Sequence, residues 1–208
     1  MGKDIKYSAL TLLSSKINVG IIGAGRAGII KAKHFINKGV HVHILAKEKR
    51  EEITELIKNS YVKLEINKYY KDFILDKHII IIAVDDEKVA QEIRNDCNEL
   101  YKIFIDSTNF KEGSAIVPVQ RETNNLVIAV NSKGGNPKGS ILVANKIKDK
   151  VIELDSFIEF TTKIRNEVKN RKDIKKDVLN FIYDDDFIFF FNKNKAEDVL
   201  RLFYGKIF

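Results

Sequence analysis

The segment Gly23-Ala24-Gly25-Arg26-Ala27-Gly28 sets three glycines at the spacing Gly-x-Gly-x-x-Gly, directly behind the β-branched apolar run 17–22. A helical pattern follows at once, so the glycines sit where a buried strand turns into a helix. Each has its own reason to lack a side chain. Gly23 permits the tight turn, Gly25 lets the backbone approach a pyrophosphate, and Gly28 lets the helix pack close on the strand. The first N–H groups of that helix have no acceptor within it and form an anion site. The bland alternative is a glycine-rich structural turn. The strand, turn, helix and second strand in register favour a dinucleotide instead.

The rest of the first half repeats strand and helix. A helical pattern over 29–36 stops at Gly39, and 40–45 reads as a strand. A helix is expected over 48–59, a short strand over 62–66 and a partial helix over 72–75. The continuous apolar run 79–84 is a buried strand. Asp85-Asp86 can cap the helix that runs from there to about residue 100. A last strand over 103–105 ends at Asp106. This alternation predicts an α/β fold: a Rossmann-type doubly wound parallel sheet. Beyond it, the strand-like runs 114–120 and 126–132 flank 121–125, which reads as a hairpin turn. Gly134-Gly135-Asn136-Pro137 breaks the chain, and the pattern after Lys138 is helical. The expected division is a dinucleotide-binding domain over 1–113, a β-hairpin and linker dimerisation region over 114–150, and a helical C-terminal region over 151–208.

Composition narrows the partners. The apolar runs are strand-sized, well below the roughly 18 residues that span a bilayer, and residues 1–16 mix charge with apolar residues, unlike a signal peptide. Cys97 is the only cysteine, which excludes an internal disulfide and suits a reducing cytoplasm. The net charge is +7, while residues 151–208 hold 11 basic and 11 acidic residues, so the excess lies wholly in the first 150. Such an excess favours anionic ligands. No aromatic-interleaved basic stripe or zinc-finger spacing accompanies it, so nucleic acid is not an expected partner. His34, His41, His43 and His78 lack an evident third ligand, and no metal site is expected.

Cofactor choice stays open on chemistry alone. An Asp or Glu about 20 residues past the turn would hydrogen-bond the adenosine ribose of NAD. The second strand instead ends Ile44-Leu45-Ala46-Lys47-Glu48. Lys47 suits the 2′-phosphate of NADP, and Glu48 suits a ribose hydroxyl. Asp106, at the carboxyl end of the last parallel strand, is placed to accept a proton or to cap the next turn.

At this point the motifs resemble a known family. Ile21-Ile22-Gly23-Ala24-Gly25-Arg26-Ala27 with Lys31-Ala32-Lys33 is similar to the opening of the precorrin-2 dehydrogenase/sirohydrochlorin ferrochelatase family, which includes the N-terminal part of siroheme synthase. Ile82-Ala83-Val84-Asp85-Asp86 resembles its Ala-Thr-Asp-Asp segment. Ile105-Asp106, then Ala115-Ile116-Val117-Pro118, resemble its Val-Asp and Phe-Ile-x-Pro elements, and 129–137 its Gly-Gly and Pro stretch. The resemblance covers roughly 16–182. It implies a homodimer that oxidises the tetrapyrrole precorrin-2 to sirohydrochlorin with NAD, on the way to siroheme or cobalamin; some members also insert ferrous iron. It places cofactor contacts on Arg26, Ala27, Lys47 and Glu48, which join Gly23, Ala24 and Gly25 of the turn and Val84 and Asp85 at the end of the 79–84 run as the expected cofactor site. By the resemblance Asp106 becomes the catalytic acid/base and Ser132 lines the substrate cleft; Asn109 and Ser114, in and after a segment that departs from the family, are further expected substrate contacts. Two rivals remain: a small NAD(P)-dependent oxidoreductase of another substrate, and a dinucleotide-sensing module without turnover.

Overall fold

Strands that are apolar without alternation are buried on both faces, and β4 (Ile79–Ile82) is four isoleucines, none more than 4% exposed. The computed structural model describes residues 6–205. In it β4 pairs in parallel with β1 (Asn18–Ile22) on one side and with β5 (Ile103–Asp106) on the other. Beyond β1 lie β2 (His41–Ala46) and β3 (Val62–Ile66), giving the order β3-β2-β1-β4-β5 with every pair parallel. The order reverses between β1 and β4. That switch leaves a crevice above the carboxyl ends of the strands.

Side chains alternate between two cores. Val19, Ile21, Ile44 and Ile81 point to the layer of α1 (Arg26–Ile36) and α2 (Glu51–Leu56), meeting Ile29, Ala32 and Ile53. Ile22, Leu45, Ile80 and Phe104 point to α3 (Glu87–Glu99), meeting Ala90, Ile93 and Cys97. Phe73 and Ile74, from the short 3-10 turn Lys71–Ile74, close this second core. Helices thus cover both faces of a parallel sheet, as in a doubly wound fold.

The helix ends follow their sequence signals. Gly39 takes a φ of +73°; its N–H bonds to the Ile36 carbonyl, and the Val40 N–H to that of Phe35. This is the glycine cap that closes a helix with two reverse bonds. At the start of α3 the Asp86 carboxylate accepts from the N–H groups of Lys88 and Val89 at 3.0 and 3.3 Å.

Contacts divide the chain between Val117 and Pro118. The second unit opens with the antiparallel hairpin β6 (Val119–Glu122) and β7 (Val127–Val130), on which α4 (Pro137–Val151) packs. Asp155 ties the hairpin turn to the next helix, α5 (Asp155–Glu167). It accepts from the Thr123 hydroxyl, from Asn125 N–H at 3.1 Å and from Asn125 Nδ2 at 2.9 Å. Then come α6 (Lys175–Ile182), α7 (Asp185–Asn192) and α8 (Ala196–Tyr204). Their core is aromatic: Phe187, 1% exposed, lies 5.5 Å from Phe181 and 6.4 Å from both Phe157 and Phe160 between ring centres.

Two expected elements differ. The helix expected over 48–59 is only α2. Arg50 is extended, and the Asn59 side chain accepts from the Tyr61 N–H to form a turn. Residues 47–50 are thereby freed to form the crevice rim. The strand expected over 114–120 belongs to the hairpin only from Val119 onward. Ser114 and Ala115 instead donate their N–H groups to the Phe104 carbonyl, and Ala115 and Val117 pack on the first core. No helix among the described residues is long and apolar enough to cross a membrane.

Truncating Phe187→Ala should destabilise the protein by about 3–5 kcal/mol through the cavity it leaves. Urea denaturation followed by circular dichroism measures this; a loss below about 1 kcal/mol would show that the aromatic cluster does not hold the helices together.

Candidate dinucleotide-binding site

The three glycines of the turn lack side chains for three different physical reasons. Gly23 has a φ of +106°, and a Cβ there would lie 2.1 Å from the Ala83 carbonyl oxygen. At Gly28 a Cβ would lie 2.2 Å from the Gly23 carbonyl oxygen. Both positions are closed by the protein itself. Gly25 is the opposite case: its backbone is extended, with φ −70° and ψ 179°, and a Cβ would meet nothing within 4 Å. Neither strain nor packing demands glycine there. What its bare backbone leaves is open space against the N-terminus of α1, where no side chain caps the helix. Unsatisfied N–H groups, a helix dipole and room for an anion to approach fit a dinucleotide pyrophosphate.

Gly23, Ala24 and Gly25 form the floor of a cleft of about 410 Å³. One wall follows the ends of β2 and β3 and carries Lys47, Glu48, Arg50 and Asn67; the other follows the end of β4 and carries Val84, Asp85 and Asp86. Tyr69 completes the lining, its hydroxyl donating to Asp96 at 2.8 Å. Burial and that carboxylate push the phenol well above its ordinary pKa, so it stays a neutral wall. Backbone bonds hold the rim: Gly23 N–H to the Leu45 carbonyl at 2.8 Å, and Asn67 N–H to that of Ala46 at 2.9 Å.

Of the residues expected at the cofactor, Gly23, Ala24, Gly25, Lys47, Glu48, Val84 and Asp85 share this cleft. Arg26 and Ala27 form the first turn of α1 beside it. Arg50, Asn67 and Tyr69 were not expected. They follow strand or loop positions whose place on the rim depends on where α2 begins and where β3 ends.

Asp106 lies outside the cleft lining, at the end of β5. Its side chain is fully buried, and its Oδ2 accepts from Arg94 Nε at 2.7 Å. Oδ1 accepts from the N–H groups of Thr108 and Asn109, each at 2.8 Å, and from the Thr108 hydroxyl at 2.7 Å. Burial alone would raise its pKa. The bonds from Asn109, Thr108 and Arg94 outweigh burial and hold the carboxyl below the usual carboxylate range. The geometry is that of a capping carboxylate fixing the turn after β5. Arg94 was missed, although it shares a helix face with Ala90, Ile93 and Cys97, all buried; a cation in an apolar stripe signals a buried counter-charge.

The expected substrate residues are also engaged locally. The Ser114 hydroxyl accepts from the Phe104 N–H at 2.8 Å, extending the edge of β5. Asn109 is exposed, its N–H given to Asp106. Ser132, in the second unit, accepts from the Asn136 N–H at 2.6 Å in the turn before α4. Among the described residues no three His, Cys, Asp or Glu side chains group as metal ligands.

Fold and cleft together define a dinucleotide-binding protein of the Rossmann type. The chain belongs to the putative NAD(P)-binding family, whose model matches residues 10–119. It is 23% identical to the precorrin-2 dehydrogenase of Priestia megaterium over 136 residues, 64% of this chain and 63% of that protein. To the precorrin-2 dehydrogenase of Bacillus subtilis it is 23% identical over 144 residues, 69% of this chain and 88% of that one. It is 29% identical to the siroheme synthase of Buchnera aphidicola over 137 residues, spanning 28% of that longer protein. The solved structure of SirC, a precorrin-2 dehydrogenase, superimposes with a TM-score of 0.67 at 19% identity, covering 86% of this chain and 90% of that one; the two share a fold.

Gly25→Asp should abolish dinucleotide binding by setting a carboxylate where the pyrophosphate lies, while thermal unfolding stays within about 2 °C because the position is open and extended. Calorimetric titration with NAD tests this; undiminished affinity would remove the turn from the site.

Asp106 has a distinct signature. Its carboxyl titrates lower folded than unfolded, so its contribution is complete above about pH 5 and is lost as pH falls through the folded value. Asp106→Asn should therefore be less stable than wild type at pH 7, with the gap in urea midpoint closing toward pH 3. A gap independent of pH would show that charge is not what the residue contributes.

Proposed function

We propose that the chain oxidises precorrin-2 to sirohydrochlorin with NAD as hydride acceptor, in the route to siroheme or cobalamin. The observation that carries the reading is the open backbone at Gly25, in a cleft at the sheet's switch point; the precorrin-2 dehydrogenases among its relatives supply the substrate. When bound, the nicotinamide takes up a hydride, and one proton must leave the tetrapyrrole to balance the two-electron oxidation. The chain's own part is placement. The α1 N–H groups, with Arg26 and Ala27, hold the pyrophosphate. Lys47 and Glu48 meet the adenosine ribose, and Val84 and Asp85 bound the nicotinamide side. Asn109, Ser114 and Ser132 stand in this reading on the substrate side. Asp106 accepts the proton only if Thr108 and Asn109 release Oδ1, so its chemistry is coupled to movement of the turn after β5.

The same reading makes the protein a homodimer. Its support is the second unit, where Val127 of β7 and Ile141, Leu142, Val143 and Ile147 of α4 are exposed; exposed apolar side chains gathered in one region mark interaction surfaces. It also places the activity in the cytoplasm, where Cys97, buried and with its thiol pushed up to about 12 by burial, stays reduced and inert.

Anaerobic incubation with precorrin-2 and NAD should yield sirohydrochlorin, followed by absorbance, from a species sedimenting at the mass of two chains. Dinucleotide binding without product would move the assignment to an oxidoreductase of another substrate or to a dinucleotide sensor.

A further inference from the structure

Arg94 is a charge that the packing of α3 does not call for, set among Ala90, Ile93 and Cys97 with its side chain 4% exposed. A guanidinium does not give up its proton, so it is tolerated this far from water only where acceptors meet it. Here they come from two directions. Nε donates to Asp106 Oδ2 at 2.7 Å, and Nη1 donates to Glu87 Oε1 at 2.5 Å and Gln91 Oε1 at 3.2 Å. Glu87 opens α3, directly after Asp85 and Asp86 of the cleft wall. The planar fork is thus pinned to the first turn of α3 on one side and to the end of β5 on the other, and leaving either would strand a buried charge.

The two oxygens of Asp106 are therefore unlike. Oδ2 is held by Arg94, which belongs to a packed helix face. Oδ1 is held by Thr108 and Asn109, in a loop whose residues 108–112 are all exposed. Such a loop opens at far lower cost than a core helix moves. Asp106 also pairs with Ile82 of β4, one strand spacing, about 5 Å, from the strand that runs on into Ala83, Val84 and Asp85 of the cleft wall. The charged groups on its α3 side are Arg94 and, beyond it, Glu87; β4 offers Ile82 and the turn offers Thr108 and Asn109, none of which ionises.

We infer that Arg94 is a positioning residue for the oxidation: it fixes the Asp106 carboxylate through Oδ2, which leaves Oδ1 to take the proton from the tetrapyrrole once the turn after β5 releases it. The inference rests on the proposed reaction. One hydrogen leaves the substrate as hydride to the dinucleotide, the other as a proton that forms an O–H bond at Oδ1, and the electron pair left behind closes the new double bond.

The test is the pH dependence of kcat for precorrin-2 oxidation by the full chain at saturating NAD, in wild type, Arg94→Gln and Arg94→Lys. Losing the cation raises the carboxyl's pKa. The base is then protonated at higher pH, so in Arg94→Gln the acid limb of kcat should move up by about one pH unit or more, with kcat lowered about ten-fold or more. Arg94→Lys keeps the charge but cannot grip both anions; its limb should stay at the wild-type position while its kcat falls. NADH affinity, read by nicotinamide fluorescence, should stay within about two-fold in both, showing the cleft intact. Carbon-13 NMR of the aspartate carboxyls reads Asp106 without substrate, as the resonance missing from Asp106→Asn, and it should titrate higher in Arg94→Gln than in wild type. A structural role alone would lower activity alike at every pH. An unmoved limb in Arg94→Gln, or wild-type kcat in Arg94→Lys, would overturn the inference; should Arg94→Gln not fold, the Arg94→Lys result decides. Wild-type protein that binds NADH and makes no sirohydrochlorin would instead remove the proposed reaction, and this inference with it.

Discussion

The architecture of the first unit hangs on a contact between backbones at the start of α1. The Gly23 and Gly28 positions approach neighbouring carbonyls so closely that one added carbon would lie about 2 Å from an oxygen. That approach brings the helix down onto the ends of β1 and β4 and aims its first N–H groups across the crevice. The buried isoleucines of β4 provide the close-packed floor that such an approach needs, because a floor able to yield would hold neither glycine nor helix in register. Binding geometry and core packing are therefore one arrangement, with Gly25 the position the packing leaves free.

The end of β5 is organised by charge rather than by close packing. Arg94 reaches from α3 to Asp106, and Asp106 gathers the N–H groups of the turn beyond β5. Helix, strand end and loop are thereby joined through one carboxylate, and a buried pair of this kind is costly to break from one side. Around it the protein leaves Arg94 Nη2 and the Ser107 hydroxyl without partners in the described structure. The glycine turn and the neighbouring strand end are thus built on different principles: bare backbone at the cleft floor, and an ionic knot at the end of β5.

Much of this was legible in the residues. The parallel sheet followed from apolar runs separated by helical patterns, and Gly39 and Asp86 mark helix ends by chemistry that acts locally. The cleft floor was legible because Gly23, Gly25 and Gly28 lie within one turn of chain. The rim was less so. Arg50 and Asn67 reach it only because α2 starts late and β3 ends beside Ala46, which depends on pairing between distant segments. Asp106 shows the other limit: its place at a strand end was readable, but the partner that buries its charge is twelve residues back on a helix. Ser114 looked like the start of a hairpin because a serine before apolar residues reads alike whether its strand pairs forward or backward.

The hairpin carries a consequence for how the chain acquires its shape. Two strands of four residues make a sheet that is marginal alone, and its turn is held by Asp155, some thirty positions downstream. While the chain emerges from the ribosome, the parallel sheet has every residue it needs once Val117 is out. The hairpin's turn must wait until α5 has begun to form. Assembly therefore has a direction, with the nucleotide cleft complete before the unit that follows it can close.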